Sequence, residues 1–517
     1  MSMSSVSDYL ENTLEECGGL GRFQWLLIAS IIGGKISITW TTLMMSFGGA
    51  IPDWSCQWGN DTTIFQNITI ESKTCHPPQN YSDLACVRKV YDDSMHTVVN
   101  QWNLVCDRDW ITQTFTTIQM GGLLVGGLIA GQVADIIGRK PAYFISMFFL
   151  LLFNLVAAFS SNWQMFAAFR FLIGLASGFY LSVFFVFVAE FMPRKYRSMI
   201  MAIPAWPIWA AAFGGVSYLI HDWKYLHIAT AAVTAPFLFS WWFIPESFRW
   251  LVANDQIEKA EEVIRKIARI NNAPVPDTSK LKMVVENSIS HNNKKYTYLD
   301  ILCNPDFLKK TILLAVSWIS FGYGYYAIAF GVQQLSGSLY LNMFLLSIVE
   351  IPSQVITYFL NNCMGRKWTT FMFLVLATVS GTVVGVVQMV DIPEKDGLIN
   401  GFAMATKLFL AAGWCALMLL TTESFPTVVR NMGYGIQNSV TRVGSMVAPQ
   451  IVYLSQHIDG LMYFLVGALM FLSAICLLGI PETRNKTLSD TIEDKNHKQY
   501  QEHKQEEKSK DFFLSER

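Results

Sequence analysis

The sequence predicts an all-α membrane protein with twelve transmembrane helices in two six-helix halves. Three observations carry that reading: apolar runs long enough to cross a bilayer, a shortage of charge, and short motifs that recur in the same order in both halves. Of the 517 residues, 52% are hydrophobic and only 15% charged, with a mean hydropathy of +0.33. Soluble domains carry about a quarter charged residues, so lipid solvates this chain better than water does. A formal net charge of -1 offers no bulk attraction to nucleic acid.

A spanning helix needs about 20 mostly apolar residues. Residues 1–23 are a polar N-terminus without the apolar core of a cleaved signal peptide. The first span follows at 24–46, then a polar loop at 47–114. Five spans fill 115–245, at 115–135, 141–160, 163–189, 199–220 and 226–245. A second polar insertion occupies 246–309. Within it, Ile257, Ala260, Val263, Ile264, Ile267 and Ala268 recur at helical spacing, the pattern of an amphipathic helix packed on the membrane domain. The second half, 310–480, reads as spans at 310–331, 340–361, 367–390, 398–420, 432–455 and 458–480. Residues 481–517 are a charged tail, too poor in apolar residues to fold alone.

Lys and Arg accumulate in the cytosolic loops of membrane proteins. With both termini cytosolic, the inner short loops hold Arg139, Lys140, Arg194, Lys195, Arg197, Arg366, Lys367 and Arg430, and the outer ones only Lys224 and Lys395. That orientation puts loop 47–114 outside and insertion 246–309 inside. The loop carries Cys56, Cys75, Cys86 and Cys106, spaced by 19, 11 and 20 residues, with no close C-x-x-C pair to suggest zinc. It also carries sequons at Asn60, Asn67 and Asn80. Together these predict an oxidised, glycosylated extracellular loop. Four cysteines allow three pairings, and their spacing does not choose among them.

Three motifs repeat. "GRK" occurs at Gly138–Lys140 and Gly365–Lys367; E-x-x-P-x-x-x-R at Glu190–Arg197 and Glu423–Arg430; "PES" at Pro245–Ser247 and "PET" at Pro481–Thr483. The offsets of 227, 233 and 236 residues describe one six-helix unit copied twice. Two such halves around a central cavity are the construction of a secondary transporter. Asp135, Arg139, Glu190, Arg194, Arg197, Arg366, Glu423 and Arg430 then suit a latch, acids pairing with bases across the seam between halves to hold the cytosolic side closed. Alternating access needs a bias of only about a few kcal/mol. Topology signals alone would require the bases but not the acids.

"GQVADIIGRK" (Gly131–Lys140) resembles the G-x-x-x-D-x-x-G-R-K/R signature of the major facilitator superfamily. "RFLIGLASG", "AEFMPRKYRS", "PESFRWLVAND", "YLNMFLLSIVEIPS", "TESFPTVVRNMGYG" and "TRVGSMVAP" resemble, in order, blocks of the organic cation, anion and zwitterion transporters, solute carrier family 22. The resemblance runs from about residue 10 to about residue 490, and a long cysteine-bearing first outer loop is typical of that family. It implies the major facilitator fold and a plasma-membrane transporter of small organic ions. Two departures stand out: Asn362 where the first copy has Asp135, and Phe248 where the family has proline in its P-E-S-P-R-W block.

Four ionisable residues fall near the middle of predicted spans: Lys35, Glu350, Lys407 and Arg442. Each costs about 2.5–3.5 kcal/mol if left in lipid, so each should face a cavity or a partner. The resemblance implies a base and an acid at Lys407 and Glu350, which suits internal pairing. Three bases still face one acid, and the surplus favours a substrate bearing a carboxylate. Family members that prefer anions or zwitterions resemble this chain in having arginine at Arg442, whose planar fork matches a carboxylate. Anion carriers often add a base in the eighth span, where this chain has Gln354; Lys35 is the candidate replacement. Tyr325 and Tyr326, in "WISFGYGYY", match a family tyrosine pair and offer faces for aromatic groups or a cation. A zwitterion would then set its carboxylate near Arg442 and its cation near these rings and Glu350.

The expected substrate-binding set is Lys35, Tyr325, Tyr326, Glu350, Gln354 and Arg442. No Walker loop, metal-ligand cluster or enzyme signature is present, so no cofactor, metal or catalytic residue is expected. The partners are the bilayer, a small organic ion, and a coupling ion or exchanged solute. Zwitterions or organic anions are the favoured substrates, with organic cations next; the rivals are a sugar porter, disfavoured by the mid-membrane bases and the long first outer loop, and a non-transporting receptor or scaffold with the same fold.

Overall fold

The computed structural model describes residues 6–60, 63–64, 75, 85–197, 203–277, 281–282, 298–426 and 429–484. Asn67, Asn80 and the tail from residue 485 lie outside them. A short helix, α1 (Val6–Glu16), precedes α2 (Arg22–Gly48). The first loop follows, with β1 (Trp54–Asn60), β2 (Thr63–Ile64), β3 (Ala85–Tyr91) and α3 (Val98–Trp102). Then come α4 (Trp110–Ile137), α5 (Arg139–Ala157), α6 (Trp163–Glu190), α7 (Ala205–Leu219) and α8 (Trp223–Leu238). The insertion holds α9 (Phe248–Ala253), α10 (Ile257–Asn271) and α11 (Tyr298–Leu302). The second half runs α12 (Pro305–Phe330), α13 (Leu339–Ile348), α14 (Glu350–Cys363), α15 (Arg366–Met389), α16 (Lys395–Ser424), α17 (Arg430–Leu454) and α18 (Leu461–Leu478). Below, the loop face is the end of the bundle bearing residues 49–60 and 85–109, and the insertion face is the opposite end.

Among the described residues, nine helical stretches are long and apolar enough to cross a membrane. They are α2, α4, α5, α6, α12, α13 with α14, α15, α16 and α18. Three more helices complete the two bundles. α7 and α8 pack on α2, and α17 packs on α12 and α4. α17 is polar for a spanning helix because it carries Gln437, Asn438, Arg442 and Gln450. Pro352 has no N–H to donate back into the preceding turn, and the eighth span is divided at Val349 into α13 and α14. Large apolar side chains such as Leu128, Phe159, Phe359 and Leu472 stay exposed on the bundle surface, as lipid-facing residues do.

The first loop contains something the sequence did not announce, a three-stranded antiparallel sheet of order β2-β1-β3. Disulfides join Cys56 of β1 to Cys86 of β3, and Cys75 to Cys106 at the foot of α4. α10 buries Ala260, Val263, Ile264, Ile267 and Ala268 and packs on α9 and α2. Asn271 at its end ties it to the N-terminal arm: its side chain donates to Cys17 O at 2.8 Å and accepts from Phe23 N at 2.8 Å.

The halves meet at the loop face. Ser46 donates to Ala329 O at 3.2 Å, and Gln333 donates to Ser46 O at 3.0 Å. Gln450 donates to Thr117 Oγ1 at 2.9 Å, Tyr453 to Asp109 at 3.1 Å, and Phe47 stacks on Tyr340 at 5.5 Å. A Cβ on Gly121 of α4 would meet Met446 of α17 at 3.6 Å, whereas one on Gly131 or Gly435 would meet nothing within 4 Å.

Candidate functional site

The mid-span charges divide into one pair and two bases. Lys407 of α16 lies 3.2 Å from Glu350 of α14, and both side chains are buried. Tyr325 donates its hydroxyl to Glu350 at 2.9 Å. The Lys407 ammonium sits 3.2 Å from the centroid of the Tyr325 ring and donates to Tyr325 O at 3.3 Å. The one acid is thus neutralised within the protein, and the ring face that would have received a substrate's cation is taken by lysine.

Arg442 of α17 donates to the Tyr326 hydroxyl at 3.4 Å and to Asn438 Oδ1 at 3.3 Å. Both contacts are long and neutral, and among the described residues no carboxylate pairs with it. Aromatic rings surround this level: Tyr326 stacks on Phe330 at 5.6 Å, and Tyr325 packs against Trp414 at 5.6 Å. One turn from Glu350, Gln354 keeps its Oε1 buried with no hydrogen-bond partner among the described residues. Lys35 of α2 belongs to the other half. Its ammonium lies over Phe184 at 5.3 Å, and no acid pairs with it among the described residues.

The repeated motifs converge on one construction in each half. Glu246 accepts from Arg139 N at 3.1 Å and Lys140 N at 3.0 Å; Glu482 accepts from Arg366 N at 3.0 Å and Lys367 N at 3.1 Å. The guanidiniums add a second acid, Arg139 to Glu190 at 3.4 Å and Arg366 to Glu423 at 3.1 Å. Gly138 (φ 105°) and Gly365 (φ 95°) make the turn, and a Cβ on either would strike the carboxylate it carries. Three sequence repeats are therefore one carboxylate clasp, built twice. Asp135 adds a pair to Arg139 at 2.6 Å, whereas the second copy, with Asn362 there, has Arg366 donating to Asn361 O at 3.4 Å.

These acids and bases pair inside each half. In this conformation Asp135, Arg139 and Glu190 pair within the first half, and Arg366 and Glu423 within the second. Arg194 and Arg197 likewise turn to the N-terminal arm. Arg194 meets Asp8 at 2.7 Å, while Arg197 and Arg249 both meet Glu11 at 2.7 Å. Arg430 opens α17.

Two clasp residues, Glu246 and Glu482, were visible as repeated letters but carried no assigned role. Burial raises the Glu246 pKa, more than the N–H donors of Ser247, Lys140 and Arg139 lower it, and nearby Glu190 raises it further. Glu482 is also desolvated, but N–H donors from Arg484, Arg366, Thr483 and Trp368 outweigh burial and lower its pKa. Sequence reasoning also missed Arg170, which is fully buried in α6. It donates to Gln119 Oε1 and to Thr41 O, and Thr41 Oγ1 and His227 Nδ1 meet the side chain of Asn154. Arg170 lies a quarter of the way along its helix, so a search of span centres passes over it.

Two six-helix bundles with buried charges and aromatic rings inside them are the construction of a secondary membrane transporter. The sequence matches the family model of the sugar (and other) transporters over residues 38–494. It is 31% identical to organic cation/carnitine transporter 2 of Homo sapiens, covering 78% of this chain and 72% of that one. It is 30% identical to solute carrier family 22 member 21 of Mus musculus (92% and 91%) and 28% identical to member 6-A of Xenopus laevis (93% and 93%). The chain belongs to solute carrier family 22 of the major facilitator superfamily, and it is a transporter-family protein, not an enzyme. The inward-open xylose transporter XylE from E. coli shares the fold, with a TM-score of 0.64 at 15% identity over 90% of this chain and 98% of that one.

Proposed function

We propose that this chain carries small organic anions across the plasma membrane by alternating access, with both termini and the insertion face in the cytosol. One observation carries the sign of the substrate. Glu350 is consumed by Lys407, which leaves Arg442 and Lys35 as bases without acids among the described residues. A carboxylate supplies the missing charge, and a bidentate seat on Arg442 replaces two long neutral hydrogen bonds. Tyr326 and Phe330 would hold the aromatic or apolar part beside it. The clasps at Arg139 and Arg366 would keep each half rigid while the halves rock, and their acids and bases would pair across the seam when the cytosolic side closes. A coupling ion or an exchanged solute would drive uptake.

A zwitterion is the second reading. The name of a relative, organic cation/carnitine transporter 2, favours it. Uptake of an aryl carboxylate, a carnitine-like zwitterion, a quaternary amine and a hexose, in cells expressing wild type or Arg442→Ala at equal surface levels, tests both. Aryl carboxylate uptake lost in the variant supports the anion reading. Hexose or quaternary amine uptake indifferent to Arg442 would overturn it.

A further inference from the structure

The short helix ahead of the first span closes over the bases of the first E-x-x-P-x-x-x-R repeat. α1 buries Leu10, Thr13 and Leu14 and leaves Asn12, Glu15 and Glu16 exposed, so it lies on the protein by one face. Tyr9 donates its hydroxyl to Asp277 O at 2.9 Å, and Asn271 holds Cys17 O just past the helix. Between these ties Glu11 points inward and is only 6% exposed, a rare place for a carboxylate without partners.

Three arginines from two other segments supply those partners. Arg194 donates its backbone N–H to Glu11 Oε1, and the guanidiniums of Arg197 and Arg249 each donate to Oε2 at 2.7 Å. Asp8, on the same helix, accepts from the Arg194 guanidinium at 2.7 Å. Two of the bases are also held from behind: Arg197 Nε donates to Met192 O and Arg249 Nε to Glu190 O, both at 3.0 Å. Salt screens a pair this poorly solvated less than it screens a surface pair. A guanidinium gripped on both edges cannot swing to another acid without breaking these bonds.

We propose that α1 is a strap that regulates the transport cycle: by holding Arg194 and Arg197 on Asp8 and Glu11, it withholds them from acids across the seam and favours the conformation open at the insertion face. Closing that face then has to detach the arginines from the strap, and lifting the strap makes closure easier. Alternating access is a two-state equilibrium, so competition for two bases is enough to shift it. The strap rests on reading the repeated bases as a latch for the closed cytosolic side. It acts on the cycle without touching the residues assigned to the substrate.

The test uses the full-length protein with exposed Cys303 and Cys363 replaced and with Gly435→Cys, where a Cβ meets nothing within 4 Å. A bulky polar thiol reagent is supplied on the insertion side. Glu11→Gln should slow labelling about threefold or more, and adding Arg194→Gln and Arg197→Gln should restore the original rate. Unchanged or faster labelling in Glu11→Gln, or a multiple variant as slow as the single one, overturns the strap. Glu11→Gln leaves three arginines short of an acid, so Asp8→Asn, which breaks a more exposed pair, is read beside it. If Glu11→Gln fails to reach the membrane, slower labelling in Asp8→Asn supports the strap and an unchanged rate overturns it. Aryl carboxylate uptake by the same cells separates the two readings. Strap-dependent labelling without uptake leaves the strap standing and removes the anion reading, whereas uptake with strap-independent labelling removes the strap alone.

Discussion

Lys407 and Glu350 form a buried 3.2 Å ion pair whose ammonium also caps the ring of Tyr325. The pair cancels the one mid-span acid, so the charge left for a substrate comes from the other bases. Desolvation offsets most of the Coulomb gain in such a pair, but removing one partner strands the other.

Lys407→Ala should therefore cost about 3–5 kcal/mol, seen as lost surface expression and a lower melting temperature. The double change Lys407→Met with Glu350→Gln should recover most of that loss. A double variant as unstable as the single one would mean that the pair does more than neutralise itself.

Each carboxylate clasp depends on a glycine in a backbone region that side chains avoid. Gly138→Ala and Gly365→Ala should each destabilise by about 1–3 kcal/mol through backbone strain, with the clash against Glu246 or Glu482 adding to it. Thermal melts of the two variants should fall by similar amounts. A silent variant in either half would show that its clasp is dispensable.

Glu482 gives the second clasp a pH signature. Its folded-state pKa lies below the ordinary glutamate value of about 4.3, so its stabilisation is present above that value and is lost as pH falls through the lowered pKa. Wild type should lose more melting temperature than Glu482→Gln when purified protein is taken from about pH 6 to about pH 3.5. Parallel curves would contradict this.

The seam contacts at the loop face should bias the two halves toward opening at the insertion face. In a background where exposed Cys303 and Cys363 are replaced, Gly435→Cys should react with a bulky polar thiol reagent supplied on the insertion side. Adding Gln450→Ala and Tyr453→Phe should slow that reaction several-fold by weakening loop-face closure. An unchanged rate would remove those bonds from the gate.

Much of this was legible because a bilayer leaves few options: apolar runs of spanning length must be helices, and the excess of Lys and Arg orders their ends. The repeat was legible as letters at fixed offsets. Its meaning was not, because Glu246 reaches Arg139 N across 107 positions and a linear motif does not show who accepts from whom. The loop sheet stayed hidden for a similar reason, since its pairing and the two disulfides join residues 30 and 31 positions apart. The tyrosine pair was readable, but its fates were not: Tyr325 went to Glu350 and Lys407, and Tyr326 to Arg442. Those assignments depend on helix rotation, which in α2 is set by packing at Gly33 and Gly34.

The sharpest test of the central claim is a charge reversal, Arg442→Asp, with uptake of an aryl carboxylate and a quaternary amine measured side by side at equal surface levels. With Glu350 neutralised by Lys407, the sign at Arg442 should set the sign of the cargo. The account predicts that carboxylate uptake is lost and that quaternary amine uptake appears or rises. Carboxylate uptake that survives the reversal would contradict it.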